Sequence, residues 1–205
     1  MTTTLDPDVL AGHYVGALTR GATGLADWWA SRLDQLDRER EARLAGWTLG
    51  DAAAFYAQHG LPVFPLTPGE KRPLPARLDC CGGSHRRGVT DALDHVGAAR
   101  AWWRAHPTAN VGLATGHRVD VIDQDGTEGA RWWCRGTDWP SVVGVVTTPR
   151  PGGVHRFVRA TGYGNGRAIA PGLDYRGRGG YVVAPPSIVN GRRYRWLTPL
   201  DLSSC

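Results

Sequence analysis

Apolar positions along the chain change their spacing near residue 110, and the change separates a helical part from a stranded one. Leu25, Trp28, Trp29, Leu33, Leu36 and Leu44 form a stripe, and Asp34, Asp37, Arg38, Glu39 and Arg40 lie off it. That pattern predicts an amphipathic helix over about 25–44. Asp6-Pro7-Asp8 marks an earlier helix start, because proline and acids suit a first turn. A third helix is expected over about 51–59, closed by Gly60, and a fourth over about 96–105, carrying Trp102 and Trp103 and stopped before Pro107. Between them, 61–66 reads as a short strand whose prolines suit a sheet edge. Residues 67–90, rich in Pro, Gly and charge, read as loop.

From Asn110 the apolar residues fall in short runs. Strands are predicted over 111–114, 119–123, 142–147, 154–158, 181–184 and 193–196, with a short helix over about 128–134. The Gly-rich stretch 162–180 reads as hairpins and close backbone approaches. The fold class is therefore α/β or α+β with an antiparallel C-terminal half. The expected division is an N-terminal helical extension over 1–47 and one domain over 48–205.

Composition narrows the classes. No apolar run of the 205 residues approaches the roughly 18–20 that span a bilayer. The start, MTTTLDPDVL, lacks the basic and apolar regions of a leader. A soluble, cytoplasmic protein with no membrane partner is expected. Cys80, Cys81, Cys134 and Cys205 are too irregular for a disulfide framework.

Charge is uneven. Residues 1–140 hold 15 Lys+Arg and 17 Asp+Glu, a net of −2, and residues 141–205 hold nine Arg with only Asp174 and Asp201, a net of +7. The two make up the overall +5. A basic C-terminal third suits a polyanion such as nucleic acid; an Arg-rich coding bias gives the same count. Lys71 is the single lysine.

Five segments could carry chemistry. In Val121-Ile122-Asp123-Gln124-Asp125-Gly126, the acids at i and i+2 project together from a strand end. Two close carboxylates fit a hard divalent cation, Mg²⁺ or Mn²⁺, and an Asx-turn is the competing reading. His155 follows Gly152-Gly153 near a strand start, where glycines let backbone N–H groups approach a phosphate; taken alone, the segment reads more simply as an ordinary hairpin with an exposed histidine. Asp174 is the lone acid among nine arginines, either a further metal ligand or a partner of Arg176 or Arg178. Lys71 sits in a proline-bounded loop that could reach a triphosphate or simply face water. Cys80, Cys81 and His85 are soft ligands close together, but a structural zinc site usually takes four ligands in spaced pairs; free thiols in a loop, with Cys134 distant, are the alternative.

Taken together and in this order, these pieces resemble the primase-polymerase (prim-pol) domain of bifunctional DNA primase/polymerases, within the archaeo-eukaryotic primase superfamily. The resemblance rests on GLPVFPLTPGEKRPL, WWRAHPTANVGLATG, VDVIDQDG, TTPRPGGVHRFV and GLDYRGRGGYVVAPPSIVNGRRYRW, across roughly residues 50–197. It implies a catalytic core with an RRM-like mixed or antiparallel sheet. It implies that Asp123, Asp125 and Asp174 bind catalytic Mg²⁺ or Mn²⁺, and that His155 contacts nucleotide phosphates. The family's Ser-x-His motif reads Gly153-Val154-His155 here, so a Gly153 N–H would stand in for the serine hydroxyl. Lys71 and Arg176 match basic positions that would hold the triphosphate or template. Some relatives carry a Cys/His zinc element where Cys80, Cys81 and His85 lie.

The function so implied is metal-dependent, template-directed nucleotidyl transfer: primer synthesis or extension in replication of a phage, plasmid or mobile element. The implied partners are single-stranded DNA, nucleoside triphosphates and a separately encoded helicase, since larger relatives continue into one. A metal-dependent nuclease and a non-catalytic nucleic-acid-binding accessory module are the alternatives.

Overall fold

The computed structural model describes residues 47–75, 78–80, 83–85, 88–136 and 138–202, with the segments 78–80 and 83–85 described by backbone alone. The helices expected before residue 47 lie outside these residues. Along the chain come α1 (Leu49–Gln58), β1 (Val63–Leu66), β2 (Leu78–Cys80), β3 (Gly83–His85), α2 (Val96–Ala105), β4 (Asn110–Ala114), β5 (Val119–Gln124) and α3 (Gly126–Arg135). Then follow β6 (Val142–Thr147), β7 (Val154–Arg159), β8 (Gly166–Ala170), β9 (Leu173–Arg176), β10 (Tyr181–Ala184), β11 (Ile188–Val189), β12 (Arg192–Arg193) and β13 (Arg195–Thr198).

Thr48 starts α1 through a capping box: its hydroxyl accepts the Asp51 N–H at 3.1 Å, and its own N–H donates to Asp51 Oδ2 at 2.9 Å. Such a cap contributes about 1 kcal/mol. Packing contributes more. Ala52, Ala53, Tyr56 and Ala57 of α1 are buried in one core with Ala98, Ala99, Trp102 and Trp103 of α2. A large side chain so buried is worth about 1.5–3 kcal/mol. The two helices touch closely enough that a Cβ on Gly50 would stand 3.0 Å from the Trp103 Cβ.

Two principal sheets pack with these helices, and every ladder pair in them is antiparallel. The smaller has the order β1-β4-β10, with β1 at an edge, where its Pro65 is tolerated. The larger has the order β13-β6-β7-β5-β9-β8. Val119, Val121, Val146 and Phe157 join its first face to the α1/α2 core. Tyr56 ties the layers, donating to the Pro185 carbonyl (2.7 Å) and accepting from the Trp196 indole (2.9 Å).

The second face has its own small core of Ile122, Val158 and Leu173, with Trp133 of α3 and Trp139 packed on it. Buried Arg156 lies there, its guanidinium 4.2 Å from the Trp133 ring centroid and its Nη1 donating to Gln124 Oε1 at 2.6 Å. Burial pushes Arg156 down to about 10, so it remains charged at neutral pH.

Most predicted elements are present with small shifts in their ends. One expectation changes. Residues 67–90 are not wholly loop: β2 pairs with β3, and a 3₁₀ turn covers Gly88–Asp91. The stretch 162–180 holds a hairpin as expected: β8 and β9 pair and extend the larger sheet to its far edge. No helix among the described residues is long and apolar enough to cross a membrane.

Candidate active site

The register of the larger sheet builds one row across five strands. Trp196 pairs with Val146, Val146 with His155, His155 with Asp123, and Asp123 with Asp174. Directly opposed residues share a face, so the row runs from apolar at Trp196 to acidic at Asp174. The two acids are 51 positions apart in sequence and directly opposite in space.

Like charges opposed across strands repel each other. Here Arg176 stands between them. It lies two residues beyond Asp174 on β9, so it shares that face. Its Nη2 donates to Asp174 Oδ2 at 2.8 Å and to Asp123 Oδ2 at 3.1 Å. Asp174 Oδ1 accepts a third bond, from the Ala168 N–H at 2.8 Å. Ala168 is a non-glycine residue in the left-handed region (φ 51°), a conformation costing about 1–2 kcal/mol without glycine.

His155 is buried on the other side of Asp123, with Nε2 3.6 Å from Asp123 Oδ1, outside hydrogen-bond reach. Its Nδ1 is also buried and has no hydrogen-bond partner. Burial pushes His155 below its usual value against the opposing Asp123 carboxylate, and the charges of Lys71 and Arg176 add to the lowering. The ring is therefore neutral at pH 7 and has one N–H to donate.

Asp125 leaves β5 as the N-cap of α3 but makes no capping bond with its side chain. Its Oδ1 meets Arg150 Nη1 at 2.5 Å. The fold pins this corner from two directions. The Asp125 N–H donates to the Gly172 carbonyl at 2.8 Å, and the Gln124 amide donates to the Gly152 carbonyl at 2.8 Å. Asp125 thus sits at the same strand end as Asp123, with its carboxylate on Arg150 rather than beside the other acids. No three His, Cys, Asp or Glu side chains among the described residues form a ready metal cage.

The donor chemistry nevertheless suits a divalent cation. Asp123 and Asp174 offer hard oxygens from adjacent strands, and the Arg176 guanidinium already occupies the place between them as a positive stand-in.

Lys71 lies in a braced turn: Asn110 Nδ2 donates to the Glu70 carbonyl (3.1 Å), Asn190 N–H to the Gly69 carbonyl (3.2 Å), and Tyr181 hydroxyl to the Lys71 carbonyl (3.3 Å). Its charge reaches His155. Gly153 performs a different task from the one expected. Its N–H is engaged by the Arg150 carbonyl at 2.8 Å, and a side chain there would collide with the Thr148 hydroxyl. Tight packing of the turn, not a free N–H, explains glycine at this position. Cys81 lies outside the described residues, as do the side chains of Cys80 and His85; Cys134 is exposed on α3.

Three participants carry no clear signal in sequence. Arg150 reaches Asp125 only because the β6–β7 turn abuts the start of α3. Ala168 donates only because of its unusual backbone. Tyr194 sits buried with its ring 5.6 Å from that of His155, between two arginines of a basic run. Burial pushes its hydroxyl well above the usual tyrosine range, with the charges of Asp123 and Asp125 adding to that.

No curated protein matches the chain closely enough to count as a relative. A family match does cover most of it: residues 53–205 fit the family described as bifunctional DNA primase/polymerase, N-terminal. That span contains every strand of both sheets, the opposed acids, His155, Arg176 and Lys71, and the chain belongs to the Prim-Pol family.

Proposed function

We propose that this domain performs metal-dependent, template-directed nucleotidyl transfer, making or extending primers on single-stranded DNA in the replication of a phage, plasmid or mobile element. The observation that carries the reading is the in-register trio His155, Asp123 and Asp174, with Arg176 between the acids. Asp123 and Asp174, joined by Asp125 once it leaves Arg150, would hold Mg²⁺ or Mn²⁺. That cation supplies charge neutralisation at the transferred phosphoryl group and a lowered pKa for the attacking hydroxyl.

The chain's own residues do the rest. Neutral His155 donates its N–H to a phosphate oxygen. Lys71 offers a compact point charge and Arg176 a planar fork to the triphosphate. These donors are held by the sheet and by the braced turn, so they need little reorganisation as charge develops. The arginine-rich residues beyond 141 follow the template backbone.

Purified protein is incubated with single-stranded DNA, Mn²⁺ or Mg²⁺, and labelled ribo- or deoxynucleotides, with and without a primer. Wild type is expected to yield product, and Asp123→Ala to reduce it by at least about 10³-fold while retaining DNA binding. Cleavage of DNA without added nucleotides would point to a nuclease instead. Binding indifferent to metal and to Asp123, with no product, would point to an accessory module.

A further inference from the structure

Each acid at the end of β5 already has a cation supplied by the chain itself. Arg176 Nη2 serves Asp174 at 2.8 Å and Asp123 at 3.1 Å, and Arg150 serves Asp125. The two arrangements differ in exposure. The Arg176, Asp123 and Asp174 side chains are 23%, 19% and 29% exposed, whereas Arg150 and Asp125 are 59% and 53% exposed. Water screens the second pair and leaves it easily broken. It screens the first much less.

Charge balance is incomplete at the shielded site. One guanidinium faces two carboxylates, so a net negative charge remains. A divalent ion would match both acids. Arg176 would then stand beside the divalent ion that had taken over both carboxylates, and like charges there would favour its release. The Arg176 charge also acts on Tyr181, whose hydroxyl donates to the Lys71 carbonyl. An anionic ligand is the partner that such a freed guanidinium requires.

We propose that Arg176 is a built-in counter-ion whose release couples metal uptake to triphosphate binding. It holds Asp123 and Asp174 together while they carry no metal. It leaves them when a divalent ion is taken up, and its N–H groups then donate to the triphosphate. This rests on the nucleotidyl-transfer reading above. Coupling of this kind is reciprocal, so triphosphate would tighten metal binding by the factor that metal tightens triphosphate binding.

The test uses the full chain and two binding titrations. The first measures Mn²⁺ affinity without nucleotide. The second measures a non-hydrolysable triphosphate at saturating Mn²⁺. Arg176→Gln is expected to bind Mn²⁺ at least about fivefold tighter and the triphosphate at least about fivefold weaker. Arg176→Lys keeps the charge and is expected to return Mn²⁺ affinity towards wild type. Arg150→Gln, at the exposed pair, is expected to shift Mn²⁺ affinity by about fivefold at most.

A purely structural arginine would weaken both titrations when removed. Unchanged or weaker Mn²⁺ binding in Arg176→Gln, tighter Mn²⁺ with unaltered triphosphate binding, or a lysine variant that behaves like the glutamine one would each overturn the coupling alone. Wild-type protein that takes up no Mn²⁺ would overturn it together with the metal assignment.

Discussion

Asp120 lies three residues before Asp123 on β5 and faces the opposite side of the sheet, where it serves structure rather than chemistry. It is fully buried and accepts from the Thr161 N–H at 2.7 Å, the Thr161 hydroxyl at 3.1 Å and the Tyr175 hydroxyl at 2.5 Å. Asp120→Ala leaves those donors without their acceptor and is expected to cost about 2–3 kcal/mol, read as a lower urea midpoint. His155 presents the converse case, a buried ring whose Nδ1 has no partner. If its N–H is reserved for a phosphate, His155→Gln should lower kcat/KM for nucleotide addition about 10²-fold while leaving single-stranded DNA affinity unchanged.

At the scale of elements, the close meeting of α3 with the β8–β9 turn sets where Asp125 stands. Gly129 lies against the Gly172 carbonyl, and an added Cβ would overlap it. Gly129→Ala should push α3 away, cost about 1–3 kcal/mol by denaturant unfolding, and lower nucleotide addition by displacing Asp125. This dependence also shows what was legible beforehand. The helix over 96–105 and the strands over 142–147 and 181–184 have the ends that were expected. In each, a strong periodic or apolar run meets a clear stop. β9 was not separately legible, because Leu173-Asp174-Tyr175-Arg176 offers only one aliphatic residue and lies among glycines. The acids could be named from motif order, but their bridging by Arg176 depends on the pairing of β9 with β5. A slip of one residue in that pairing would turn Asp174 to the other face, and nothing local encodes a partner 51 positions away.

The whole molecule carries its positive charge late in the chain, and that asymmetry bears on DNA. Affinity for single strands should fall linearly with salt on logarithmic axes, by about 0.7 per phosphate neutralised. Arg192 is exposed beside the β6–β7 turn, its Nη1 donating to the Pro149 carbonyl at 3.3 Å. Arg192→Gln should reduce the slope by about 0.7 if it tracks the backbone, measured by fluorescence anisotropy at several salt concentrations. The strand order has a consequence in time as well. The larger sheet runs β13-β6-β7-β5-β9-β8, so its central strand β5 is synthesised first and then waits for partners on both sides. β7 arrives after about 30 further residues and β9 after about 50, which at the pace of translation means seconds of delay. A nascent chain that exposes Asp123 therefore has neither its opposing acid nor its arginine. The proposed site is complete only when nearly all of the domain has left the ribosome, so on that proposal prematurely ended products would be inert.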